Sequence, residues 1–175
     1  GDGTSCDWVM TTDLLITLRE TDGSLSLLAL ADKTKEKLKP RSLSLLALER
    51  AYWQARGVQW LLITPALYED AVAMTMRRIG PWALGDAVPP EEIQIAIDVV
   101  RSNPGYSLSY VLNAIAQRVG VDNDRHQRAL WQAVWFGHLP VDLRRGWRPH
   151  VPLQLITADE FKTQNPVLSR RTAWI

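Results

Sequence analysis

Residues 45–68 read LLALERAYWQARGVQWLLITPALY, and two different periodicities meet inside this stretch. In its first half Leu45, Leu48 and Tyr52 recur at helical spacing with Leu46 and Trp53 beside them, which makes one broad apolar helix face. The helix is expected to open at Ser42, run to about Arg56 and close on Gly57. In the second half, Val58 to Thr64 is a short apolar run of the kind found in a buried strand. A helix followed by a strand that is apolar on both faces favours a parallel pairing, with the helix laid on the sheet as an α/β layer.

Working toward the N-terminus, Thr11 to Leu18 is rich in β-favouring side chains and carries Asp13 near its head. Glu20-Thr21-Asp22-Gly23-Ser24 supplies an Asp-Gly turn, and Leu25 to Ala31 beyond it is a second apolar run. Together they predict a β-hairpin. A polar, lysine-rich stretch then leads to Arg41, and the α/β unit is expected to extend to about Arg78.

Toward the C-terminus the composition changes at Gly80-Pro81 and again at Pro89-Pro90, and no strand-like run occurs between Leu67 and His138. Three helices are predicted: Pro90 to Arg101, Ser107 or Leu108 to Val119 before Gly120, and Asn123 to Phe136 before Gly137. An extended stretch from His138 to Leu143, a basic turn at Arg144-Arg145-Gly146-Trp147-Arg148-Pro149 and a strand from Val151 to Thr157 follow. Three short helices and a hairpin with a basic tip describe a winged helix. The tail from Val167 to Ile175 is too short to fold alone, and its apolar end after Arg170-Arg171 is expected either to dock on a partner or to fray.

The whole chain has 175 residues, 46% apolar and 22% charged, which suits either one large domain or two small ones and excludes general disorder. Its longest apolar run, Leu27 to Ala31, is far short of the ~18 residues that cross a bilayer, and Gly1 to Asp7 carries no signal-peptide pattern. A soluble cytoplasmic protein without a membrane partner is expected. A lone cysteine, Cys6, and the widely separated His126, His138 and His150 exclude a disulfide framework and a structural zinc cage. A net charge of +1 means that any nucleic-acid contact must come from local clusters.

Asp13 at the head of one strand and Lys33 just past the end of the next form the sharpest chemical pair. In phosphodiester hydrolysis a carboxylate holds a divalent cation against the scissile phosphate, while an ammonium stabilises developing charge or orients water. Solvated rim charges are the plainer reading of the same pair. By the period of two, Ala31 stands on the face of Lys33, where a further ligand would be wanted, and Asp32 points away. Lys35 and Lys37, within the run from Lys33 to Arg41, are candidate phosphate contacts beside the cleft. In the second part Arg125 and Arg128 stand on the third helix and Arg144 and Arg145 at the wing, all candidate DNA contacts. Leu130, Trp131, Val134 and Trp135 on that same helix suit packing or a protein partner.

Thr11-Thr12-Asp13, Lys33, Leu48-Glu49-Arg50-Ala51-Tyr52-Trp53 and Trp60-Leu61-Leu62-Ile63-Thr64 resemble the motifs of the TnsA family. Members of this family, the endonuclease subunit of heteromeric cut-and-paste transposases, carry a Thr-Thr-Asp strand, a strand ending in Gln-x-Lys, a Leu-Glu-x-Glu-Arg-Arg-Tyr-Trp helix and a strand before a Thr-Asp-Lys-Glu-Ile-like turn. The specific part of the likeness is confined to residues 11–68. It implies a restriction-endonuclease-like α/β layer over residues 1–80, partial at its N-terminal side, and an all-α, winged-helix-like domain over 81–175. It implies a Mg²⁺-dependent cut of the non-transferred strand at transposon ends, with Asp13 as metal ligand and Lys33 as active-site lysine. The implied partners are transposon-end DNA, a transposase subunit and an ATP-dependent transposition regulator. Two departures stand out: Ala31 replaces the glutamine of Gln-x-Lys, and the family's upstream catalytic glutamate would lie before Gly1. A catalytically inactive module that recruits the regulator, and a winged-helix DNA-binding protein, are the alternatives.

Overall fold

The computed structural model describes residues 9–20 and 22–174; Cys6, the N-terminal stretch read for a signal, Thr21 of the turn and Ile175 lie outside the described residues. Contacts divide the chain into two units, one made of the described residues of Gly1–Leu67 and Arg170–Ile175, the other of Tyr68–Ser169.

In the first unit β1 (Leu14–Arg19) and β2 (Leu25–Asp32) pair antiparallel, with Leu15 opposite Ala29 and Leu18 opposite Ser26. The hairpin turns where Gly23 takes a φ of +84°, a backbone region open to glycine, while Asp22 Oδ1 accepts from the Ser24 amide at 2.9 Å. α1 (Pro40–Gln54) then crosses to β3 (Gln59–Ile63), which lies parallel to β2 and gives the sheet order β1-β2-β3. Pro40 occupies the first helical turn, which moves the helix start ahead of Ser42, because a proline there forfeits no intrahelical bond. Gly57, at a φ of +68°, reverses the chain so that the Val58 amide reaches the Trp53 carbonyl at 3.0 Å.

The core of this unit is Ala29, Ala31, Leu46, Trp60 and Leu62. Positions 29 and 31 on β2 and 60 and 62 on β3 share one pleat face, and their alanine methyls leave room for the larger groups around them. The helix presents a different stripe from the one its leucines predict. Leu46 and Glu49 are buried and Trp53 half-buried, whereas Leu48 and Tyr52 are 59% and 50% exposed. Once Leu46 is the contact, its helical neighbours three and seven residues on are Glu49 and Trp53, and Leu48 and Tyr52 turn outward.

The second unit opens with α2 (Asp70–Ala83), a helix that the change of composition at Gly80-Pro81 conceals. Val72, Thr75, Ile79 and Ala83 form its buried stripe, and Pro81 is accommodated in its last turn. α3 (Pro90–Ser102), α4 (Leu108–Val119) and α5 (Arg125–Trp135) follow, and α5 packs against all three of α2, α3 and α4. The predicted start of α5 at Asn123 moves to Arg125 because Asn123 and Asp124 are both left-handed, with φ of 50° and 56°.

Where a hairpin is predicted after α5, the chain forms single antiparallel bridges at Val141–Leu155 and Ser107–Pro152, and among the described residues no strand follows β3. Pro140, Pro149 and Pro152 lack the amide donors that a continuous ladder needs. The arginines of the expected basic tip coil instead into a 3-10 turn, Leu143–Arg145. A short α6 (Ala158–Thr163) starts on a reciprocal cap between Thr157 and Glu160. The tail does not fray: the Ala173 amide donates to the Leu62 carbonyl at 2.8 Å and the Leu62 amide to Thr172 Oγ1 at 2.9 Å, which covers the open edge of β3. No helix among the described residues is long and apolar enough to cross a membrane.

Candidate active site

The hairpin register decides where the chemistry sits. Leu14 lies opposite Leu30, so the residue before β1 and the residue after β2 emerge at the same end of the sheet. Lys33 is fixed there on its other side too, its amide donating to the Ile63 carbonyl at the end of β3 over 3.0 Å. Asp13 and Lys33 consequently meet: the Lys33 ammonium forms an ion pair with Asp13 Oδ2 and also donates to the Asp32 carbonyl at 3.1 Å. The Asp32 amide donates to the same Asp13 oxygen at 2.8 Å.

Partial burial pulls the Asp13 carboxyl upward, but hydrogen bonds from the Lys33 ammonium and the Asp32 amide, with the charges of Lys33 and Lys37, outweigh it and hold the group below the ordinary aspartate range. Asp13 is therefore a carboxylate at neutral pH, oriented by one amide and one ammonium.

A third polar group shares the cavity. Asp13, Lys33, Ser42, Leu45, Leu46 and Glu49 line a space of about 310 Å³, closed on another side by residues 9–11. Glu49 is only 8% exposed, and its Oε1 has no hydrogen-bond partner. A buried carboxyl oxygen without a partner costs about 1–3 kcal/mol, which marks Glu49 as a functional candidate. Within the Leu48-Glu49-Arg50-Ala51-Tyr52-Trp53 motif Glu49 has no role apparent from sequence alone. The available signal was a carboxylate set three residues from Leu46 on an otherwise apolar stripe.

Ala31 is fully buried against the α1 side of the sheet, so the position that the Gln-x-Lys pattern would give to a glutamine is core. Lys35 and Lys37 stand exposed on a 3-10 turn directly after the site, outside the cavity lining. The four candidate arginines of the second unit are each engaged by carboxylates: Arg125 pairs with Glu92, Arg128 with Asp86 at 2.9 Å, and Arg144 and Arg145 with Asp142 at 2.6 and 3.9 Å. Along α5, Ala129 to Val134 is buried without interruption, so this helix is the centre of its bundle.

Among the described residues no group of three or more His, Cys, Asp or Glu is placed to hold a metal ion. Two carboxyl groups converge on the cavity, a donor set that suits one Mg²⁺, which is commonly bound through one or two carboxylates with water and substrate phosphate filling the remaining positions. It does not supply the ligands for a pair of ions.

A family described as TnsA-like endonuclease N terminal matches residues 2–65, which include Asp13, Lys33 and Glu49 and exclude the second unit. No curated protein matches the chain.

Proposed function

Residues 2–65 belong to the TnsA-like endonuclease N-terminal family, and on that premise we propose that the chain is a DNA endonuclease subunit of a transposition machine, cutting the non-transferred strand at transposon ends. The observation that carries this reading is the convergence of Asp13, Lys33 and the unpartnered Glu49 on one cavity.

Asp13 and Glu49 are the residues that would hold Mg²⁺, which when bound neutralises charge on a scissile phosphate and acidifies a coordinated water. Asp13 is kept ionised and aimed by the Asp32 amide. Lys33 is anchored by its own backbone to β3, so its ammonium is presented at a fixed place to a phosphate oxygen or an attacking water. Lys35 and Lys37 carry the flanking phosphates.

The second unit is read as winged-helix-like, from α3, α4, α5 and the Val141–Leu155 bridge, and as a platform for the partner transposase and an ATP-dependent regulator. Burial of α5 and the pairing of its arginines count against base reading by this helix and leave Leu130, Trp131 and Val134 as packing groups. The burial of Ala31 favours a second reading, in which the nuclease layer is an inactive scaffold for that recruitment.

Strand-specific cleavage of transposon-end DNA, with partner transposase and Mg²⁺, separates the two. Loss of non-transferred-strand cuts in Asp13→Asn and Glu49→Gln, with folding intact, supports the enzyme. Absence of any cut by the parent chain sinks it and leaves the scaffold.

A further inference from the structure

The tail that covers β3 also builds a second cavity. Arg50 and Gln54 from α1, Gln59 and Trp60 from β3, and Arg170 and Trp174 from the tail line a space of about 240 Å³, smaller than a drug-sized pocket. Leu61 and Thr172 complete the wall. We propose that this cavity takes one nucleoside phosphate unit, its base against the Trp174 and Trp60 rings and its phosphate between Arg50 and Arg170.

Several independent observations converge on that ligand chemistry. The residues lining this cavity carry two guanidinium groups and no carboxylate. Trp174 stands edge-on to Trp60 at 5.6 Å between ring centroids and 81° between planes, and the Arg50 guanidinium lies 5.8 Å from the Trp174 ring. Aromatic faces with arginine alongside are the recurrent means of holding an unpaired base and its phosphate. Gln54 and Gln59 add amides that can donate to and accept from a base edge. Trp60 is 6% exposed, and its buried indole N–H has no acceptor.

Arg170 adds backbone strain. Its φ is +54°, a left-handed conformation that costs an arginine of order 1 kcal/mol or more and is seldom kept without a purpose. Its guanidinium meets Glu20 only loosely, at 3.8 Å, with 35% of the Arg170 side chain exposed. An extended peptide is a poorer fit, because the edge groups of Leu62 that a new strand would use are already taken by Thr172 and Ala173. What stays available is ring surface, amide and cation.

The proposal rests on the endonuclease reading for the reason a DNA strand passes here: Arg50 follows Glu49 directly on α1, so one helix contributes side chains to both cavities. The binding itself requires no metal. A labelled oligothymidylate is therefore titrated against the full chain in EDTA, in a Lys35→Gln/Lys37→Gln background that removes the flanking lysine contacts. Adding Arg50→Gln and Arg170→Gln should weaken binding at least tenfold and flatten the log-log salt slope by about 1.4, at about 0.7 per single-strand phosphate contact. Trp174→Ala should weaken binding about tenfold, with Trp174→Phe restoring most of it, in keeping with base stacking. Competition by thymidine monophosphate as effective as by the oligomer assigns the cavity to free nucleotides, and competition by the oligomer alone assigns it to a strand. Unchanged affinity and slope in the arginine variants, at unchanged melting temperature, overturn the proposal, as does displacement of the oligomer by a peptide copy of the tail without nucleotide competition. A chain that binds in EDTA yet never cuts with Mg²⁺ defeats the endonuclease reading and leaves this site standing.

Discussion

The indole N–H of Trp53 donates to Thr12 Oγ1 at 2.8 Å, joining the last turn of α1 to the residue that precedes Asp13. Two motifs that look separate in the sequence are thus one structural device: the Tyr-Trp end of the helix holds the Thr-Thr-Asp segment in place, through a bond that spans 41 positions from Thr12 to Trp53.

Removal of either partner should loosen Asp13 more than it unfolds the domain. Trp53→Phe keeps a ring and deletes the donor, and Thr12→Val keeps the shape and deletes the acceptor. Each should cost about 1 kcal/mol of stability, and the double variant should cost less than the sum, with a coupling of at least about 0.5 kcal/mol. Urea denaturation of the four proteins measures this, and strict additivity would show that the bond does nothing for the fold.

Glu49 should trade stability for activity. Its unpartnered oxygen is a liability in a buried setting, so Glu49→Leu, which fills the same space without a carboxyl group, should leave the melting temperature unchanged or raise it by a few degrees. Cleavage should fall at least a hundredfold. A strongly destabilised Glu49→Leu chain would mean that the carboxyl group is a structural anchor with a partner still unidentified.

The pH response of the site follows from the direction of the Asp13 shift. Its folded value lies below the unfolded one, so its ionic contribution is fully present above the ordinary aspartate value of about 3.9 and is lost as pH falls through the depressed folded value. Lys33→Met removes the principal opposing charge. Carbon-detected NMR titration of the Asp13 carboxyl should then show its midpoint rising, and a midpoint that stays put in the variant would place the cause of the shift elsewhere.

Much of this site was legible before the fold was known, and the reasons for the gaps are physical. The hairpin, the crossover helix and the parallel third strand each carry a strong local signal, and register alone brings Asp13 to Lys33. Which stripe of α1 faces the sheet was not legible, because Leu45, Leu46 and Leu48 are interchangeable by hydropathy and only the positions of Ala29 and Ala31 select Leu46 and Glu49. α2 was hidden by a Gly-Pro pair that falls in its final turn. The two strands expected after α5 shrink to isolated bridges because period-two alternation is blind to prolines that withhold donors. Docking of the tail on β3 rests on hydrogen bonds at Leu62 and on Trp174 against Trp60, a distant pairing that no local pattern announces.

Ala31 tests whether the departure from Gln-x-Lys can be reversed by one substitution. The side chain is fully buried in the cluster of Leu46, Trp60 and Leu62, so Ala31→Gln adds a polar amide to a filled core and should destabilise by about 1–3 kcal/mol from overpacking alone. Pairing it with Leu46→Ala should recover part of that loss by opening space above position 31. Chemical denaturation ranks the three chains, and a stable Ala31→Gln single variant would mean that the amide escapes into the Asp13 cavity.

The arginines of the second unit separate fold from DNA contact. The Glu92 side chain is 9% exposed and Arg125 44%, so Arg125→Ala leaves a buried carboxyl group without its principal cation. Solvent around the arginine moderates the loss, which should register as a modest drop in melting temperature. Because Arg125 is already engaged, its removal should leave the salt dependence of duplex binding unchanged, whereas Lys35→Gln/Lys37→Gln should flatten that slope by up to about 1.8, at about 0.9 per phosphate. Anisotropy titrations across a salt series decide between the two surfaces. A slope that responds to Arg125 and ignores the lysines would move the DNA from the nuclease layer to α5.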